Sequence, residues 1–73
     1  MIAYRDIDGD SGVLAYAIGA DYIDVQFKGP SKVYRYSYQS AGRQNVESMK
    51  TLAQNGNGLN SFINKNVKYL YVK

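Results

Sequence analysis

The chain contains no cysteine and no histidine. Without cysteine there is no disulfide to staple a small fold and no zinc–thiolate site. Without histidine as well, a metal would have to be held by carboxylates, carbonyls and water alone. The same absences remove every Ser-His and Cys-His pair, so the common nucleophile–base constellations are missing and no enzymatic activity is expected. Long apolar runs are missing too. The opening Met1-Ile2-Ala3-Tyr4-Arg5-Asp6 meets charge before it could form a signal peptide or a membrane span. The expectations that follow are a cytoplasmic location, no membrane partner, no cofactor and no metal.

Acids are scarce and unevenly placed. Residues 1–24 hold five of the six acids (Asp6, Asp8, Asp10, Asp21, Asp24) against one base, Arg5, for a net −4. Residues 25–73 hold eight bases against Glu47 alone, for a net +7. Such asymmetry predicts an electrostatically sided molecule. With 73 residues the chain is read as one domain, 1–73. A domain of this size buries only about 60% of the surface its unfolded chain exposes. Its core must come from tyrosines, branched aliphatics, two phenylalanines and two methionines.

What is abundant is tyrosine, and Val33-Tyr34-Arg35-Tyr36-Ser37-Tyr38 sets the organisation. Tyrosines at alternate positions face one way, with Val33, Arg35 and Ser37 facing the other, which is the period of a β-strand. Upstream, Leu14, Tyr16 and Ile18 alternate with Val13, Ala15 and Ala17, a strand apolar on both faces. Ile23, Val25 and Phe27 alternate with Tyr22, Asp24 and Gln26, a strand with one buried and one wet face. The short Gly19-Ala20-Asp21 turn joins these two as a hairpin, and Lys28-Gly29-Pro30-Ser31-Lys32 leads to the tyrosine strand. The first 10 to 12 residues read as an irregular lead-in.

The period then changes. Val46, Met49, Leu52 and Ala53 recur at helical spacing, predicting an amphipathic helix over about 42–54 with a cap near Ser40. Asn55-Gly56-Asn57-Gly58 ends it. Leu59, Phe62 and Ile63 predict a second, short helix with Asn57 as its N-cap, Phe62 buried against the sheet and Val67 closing the apolar set. Lys68-Tyr69-Leu70-Tyr71-Val72-Lys73 alternates again, as an added strand or a tail. Strands followed by helices give an α+β class: a three-stranded antiparallel meander with two C-terminal helices packed on one face. Ile23, Val25, Phe27, Tyr34 and Tyr36 are expected on the covered face. Tyr16, Tyr69 and Tyr71 are the rings expected to be exposed.

Three motifs bear on function. Asp6-Ile7-Asp8-Gly9-Asp10 resembles the start of a calcium loop, but Ser11 stands where such a loop needs glycine and Ala17 where it needs glutamate, so a solvated acidic turn is the better reading. Tyr34, Tyr36 and Tyr38 have the spacing of a base-stacking platform, but core packing is the favoured reading for Tyr34 and Tyr36. Asn64-Lys65-Asn66-Val67-Lys68 supplies amide and ammonium groups suited to phosphates and base edges, although asparagine also ends helices on its own account.

Several of these pieces resemble one family. Asp10-Ser11-Gly12-Val13, Ile23-x-Val25-x-Phe27-Lys28, Tyr34-Arg35-Tyr36, Asn57-Gly58 and Phe62-Ile63-Asn64-Lys65-Asn66-Val67 are similar, in order and spacing, to the KTSC domain over about residues 10–71. That domain is named for a tail module of some lysyl-tRNA synthetases and occurs as free-standing bacterial and phage proteins. Two departures stand out: Gln39-Ser40-Ala41-Gly42 replaces a Val-Pro, and the stretch from Gly58 to Phe62 is slightly long. The resembled family has no established biochemical activity, and through the synthetases the resemblance implies an association with nucleic acid. The combined expectation is a non-enzymatic binding module contacting RNA or DNA phosphates through Arg35, Asn64, Lys65, Asn66 and Lys68, with Lys28 and Lys32 at a neighbouring turn. The alternative is a protein-interaction module, a small phage or mobile-element protein that binds and modulates a host protein.

Overall fold

The computed structural model describes residues 1–7, 9, 12–29 and 32–73. Four strands form one antiparallel sheet in chain order: β1 (Ile2–Ala3), β2 (Val13–Ile18), β3 (Tyr22–Phe27) and β4 (Val33–Ser37). The helical layer follows: α1 (Tyr38–Ala41), α2 (Arg43–Asn55), α3 (Leu59–Phe62) and a π-helical turn, Ile63–Val67. The α+β class and the meander are as the sequence predicts. The sheet gains a short edge strand from the lead-in, because Ile2 and Ala3 pair with Tyr16 and Ala15. Pro30 and Ser31 of the β3–β4 turn, and Asp8, Asp10 and Ser11, lie outside the described residues.

β3 and β4 follow their alternation. Ile23 lies opposite Tyr36 and Val25 opposite Tyr34, so these four share the face that the helices cover. Ile23 and Val25 are fully buried, each contributing on the order of 1.5–3 kcal/mol. β2 departs from simple alternation. Val13 pairs with Phe27 and Tyr16 with Val25, and the register shifts between Val13 and Ala15. Residues three apart cannot share a face of a regular strand, so the irregularity at Leu14 brings both Val13 and Tyr16 into the core. The expected exposure of Tyr16 is thereby overturned: the ring is buried.

The helix starts also differ in detail from expectation. Ser37 caps α1, accepting from the Ser40 N–H while the Ser40 hydroxyl accepts from the Ser37 N–H, a reciprocal capping box. Ser40 is therefore the second half of the box and not the cap of the long helix, which begins behind Gly42. α2 buries Val46, Met49 and Ala53, as its spacing demands. It stops at Gly56, whose φ of 76° is left-handed and whose N–H donates to Leu52 and Ala53 carbonyls. A Cβ at Gly56 would also lie 2.8 Å from Cβ of Arg5, so glycine is required twice over there.

α3 has Gly58, not Asn57, at its N-cap and takes no capping bond from its own neighbourhood. The Leu59 N–H instead donates to the buried Tyr4 hydroxyl at 3.3 Å. The adjoining lead-in residues serve the same corner. Arg5 donates to the Gln54 carbonyl, and the Ile7 N–H donates to the Gly56 carbonyl at 2.8 Å. The segment before β2 is thus a clamp on the α2–α3 corner, satisfying groups that helix ends leave unpaired.

Leu59, Ile63 and Val67 are buried at strict four-residue spacing, while Phe62 is only half-buried against the core. That spacing runs wider than the 3.6-residue α period, and the π turn absorbs the difference. Phe62 is thus displaced from the central position expected of it. We predict that Leu59→Ala costs about 2–5 kcal/mol and that Phe62→Ala costs less. Tyr4→Phe, which leaves the Leu59 N–H without its acceptor, should cost about 1–3 kcal/mol. Urea denaturation of the three variants tests the ranking, and a larger loss for Phe62→Ala than for Leu59→Ala contradicts it.

Candidate functional site

The helices do not cover the whole of the tyrosine face. At the end carrying Phe27 and Tyr34 both rings remain half-buried, meeting edge-on with centroids 5.6 Å apart. The C-terminal segment folds back over this end. The Leu70 N–H donates to the Val67 carbonyl, and the Val72 N–H donates to the Arg35 carbonyl at 2.6 Å, beside the outer edge of β4. This single anchor is less than a strand, so the alternating tail neither joins the sheet nor hangs free. It delivers Tyr71 onto Tyr34 at 4.8 Å and against Tyr36 at 6.4 Å between centroids. Tyr71, expected exposed, is therefore part of the aromatic cluster, whereas Tyr69 is 68% exposed as expected.

Between the π turn and these rings lies a pocket of about 220 Å³. Phe27, Tyr34, Tyr36 and Tyr71 form its aromatic wall, Ile63 closes the helix side, and Asn64, Lys68 and Tyr69 stand at the polar side. Asn64 and Lys68 are four residues apart, close enough to line the same opening. Asn66 points its amide elsewhere, donating to the Phe62 carbonyl at 3.1 Å. Nothing in the sequence announced this pocket, because it depends on the π turn and on the returning tail.

Among the described residues, ion pairs engage three of the nine cations. Lys28 pairs with Asp6 at 3.4 Å, and Lys50 pairs with Glu47 at 2.8 Å. Arg35 holds Asp24 in two hydrogen bonds of 2.8 and 3.0 Å and stacks 3.9 Å above the Tyr22 ring. The Asp24 bond raises the guanidinium's already high pKa. Among the described residues, by contrast, Lys65 and Lys68 make no ion pair, and no carboxylate lines the pocket.

Of the residues singled out from the sequence, Asn64, Lys65, Asn66 and Lys68 are brought together on the π turn and just past it. Arg35 is not with them. It projects from the uncovered sheet face with Asp24, while the pocket opens on the face of Tyr34 and Tyr36. Tyr36 is core, and Tyr34 is half core and half pocket wall. Tyr38 is drawn off the strand into α1, where its hydroxyl donates to Glu47 at 2.6 Å. Of the acidic turn, Asp6 is described, with a φ of 51° and a carbonyl that accepts from the Gly9 N–H. No cluster of metal-ligating side chains exists among the described residues, and no described helix is long and apolar enough to cross a membrane.

Compared with protein-family models, curated proteins and solved structures, the chain finds no match.

Burial raises the Tyr36 hydroxyl to about 12, with the neighbouring Tyr34 and Tyr71 adding to the shift. Below the ordinary tyrosine value near 10, both folded and unfolded chains hold this proton and its contribution is intact. As pH rises from 10 to about 12 the unfolded chain loses the proton while the folded chain keeps it, so stability falls across that window. The Lys50 ammonium, raised by its bond to Glu47, acts in the same direction. Tyr36→Phe removes the tyrosine share, so its melting temperature should decline less steeply between pH 9.5 and 11.5 (a range of about two units around the ordinary value). Parallel slopes for the variant and the parent protein would contradict this assignment.

Proposed function

We propose that this chain is a non-enzymatic binding module whose C-terminal segment contacts the phosphates of RNA or DNA. One observation carries the reading. Among the described residues Lys65 and Lys68, which like Arg5, Lys32, Arg43 and Lys73 make no ion pair, stand three residues apart beside Asn64, and Lys68 lines a pocket without acid. Unpaired ammonium groups on adjacent turns, next to amide side chains, suit phosphate contact and the release of condensed counterions. The surface proposed is Asn64, Lys65, Asn66 and Lys68. Arg35 is held to the opposite face by Asp24 and does not belong to it. The resemblance to KTSC domains points the same way by association only.

A second reading, a protein-interaction module, is favoured by one edge of the sheet. β1 pairs with Tyr16 and Ala15 and the Tyr4 N–H donates to the Leu14 carbonyl, so among the described residues the open edge of β2 is the short stretch at Ala17 and Ile18. Ile18 within it and Ile2 beside it are 38% and 58% exposed. Such an edge can accept a strand from a partner such as a host protein.

The two readings differ in their response to salt. Two phosphate contacts imply a slope of about −2 in log affinity against log salt, and Lys65→Glu/Lys68→Glu should bring it close to zero. Titration of labelled single- and double-stranded oligonucleotides at two salt concentrations measures this. No binding at low salt, or equal binding by the double variant, would discard the phosphate reading in favour of the strand-edge one.

A further inference from the structure

The phosphate reading leaves the pocket itself unused. Its volume, about 220 Å³, is below the roughly 300–1,000 Å³ of sites for drug-sized ligands, so it has room for one planar ring system and not for several. Its walls are aromatic and its polar groups few: one side-chain amide, one ammonium and the tyrosine hydroxyls. Tyr34, Tyr36 and Tyr71 are packed against one another, but Tyr69 is 68% exposed at the mouth, with Lys68 Nζ 5.5 Å from its ring centroid. An exposed ring, an amide able both to donate and to accept, and an unneutralised cation meet at one opening. These are the three elements by which proteins hold an unstacked base: a stacking face, a partner for its hydrogen-bonding edge and a charge for the adjoining phosphate.

We infer that this pocket takes one unpaired nucleobase of a single-stranded RNA or DNA, stacked on Tyr69, read at its edge by Asn64 and followed by a phosphate at Lys68. The inference rests on the phosphate reading above and deepens it, since a base locked in a duplex cannot enter the pocket. The cation and the absence of lining carboxylates favour a nucleotide over the other occupant of suitable shape, an aromatic side chain of a peptide, which brings no phosphate to Lys68. The lead-in clamp and the α2–α3 corner do not touch the pocket, so variants at its mouth leave the fold intact.

The test compares three oligomers of equal phosphate number on the full chain at two salt concentrations: a single-stranded oligouridine, its abasic counterpart and a blunt duplex of half its length. The inference requires the base-bearing single strand to bind about tenfold more tightly than the other two. Tyr69→Ala should remove that advantage without changing the melting temperature, Tyr69→Phe should keep it, and the Asn64 side-chain amide signals should shift on titration. Equal, salt-sensitive binding of all three oligomers overturns the base pocket while leaving the phosphate surface standing. Binding of none overturns both. Shifts of Asn64 and Tyr69 caused by an aromatic peptide but by no oligomer would assign the pocket to a protein partner.

Discussion

The α2–α3 corner is the constraint on which the helical layer depends. Two helices must turn there within Gly56, Asn57 and Gly58, leaving carbonyls at the end of one and N–H groups at the start of the other. Neither helix caps itself at this point with a side chain of its own. The Gly56 and Asn57 N–H groups close part of the α2 end on the Leu52 and Ala53 carbonyls. Further groups are satisfied from the far end of the chain, by Tyr4, by the Ile7 backbone and by Arg5, which fits only because Gly56 has no side chain. The direction taken by α3 decides where the π turn emerges. The π turn in turn decides where Asn64 and Lys68 stand relative to the tyrosine face. A buried hydroxyl near the N-terminus thus positions an opening made by residues some sixty positions later, on the order of the whole chain length.

The sidedness of charge has a physical division of labour behind it. The uncovered sheet face is tied together by ion pairing and stacking, with Arg35 clamped between Asp24 and Tyr22. Exposed pairs of this kind contribute little to stability, but they cancel charge locally. On the helical side, among the described residues, Lys50 is cancelled by Glu47, but Lys68 at the apolar opening and Lys65 near it are not, and they act on whatever approaches. Net charge of +3 conceals this arrangement, because what matters is which cations have partners and not how many there are.

Much of the architecture was legible because its periods were clean. β3 and β4 alternate without interruption, and Val46, Met49 and Ala53 mark α2 unambiguously. Tyr16 was misplaced because β2 is apolar on both sides, so nothing in the sequence shows that its phase slips at Leu14. Phe62 was misplaced because size suggested a central position, whereas Leu59, Ile63 and Val67 form the row that a widened turn keeps in phase. Of the candidate site, the Asn64–Lys68 cluster could be read directly, since it is contiguous. That Arg35 lies on the other side of the sheet, and that Tyr71 returns to wall a pocket, are tertiary facts that composition and period do not contain.

The separation along the chain of the clamp's two halves bears on how the molecule forms. The meander joins neighbours, as do α1 with α2 and α3 with the π turn, so these units need only short loops to close. The Tyr4–Leu59 and Arg5–Gln54 contacts, by contrast, link residues 55 and 49 positions apart. Their loop-closure entropy must be overcome before they contribute anything, which places them after the local units in the order of assembly. The clamp accordingly governs how fast the native state is lost more than how fast it is reached, and kinetic persistence resides in a few residues at the start of the chain.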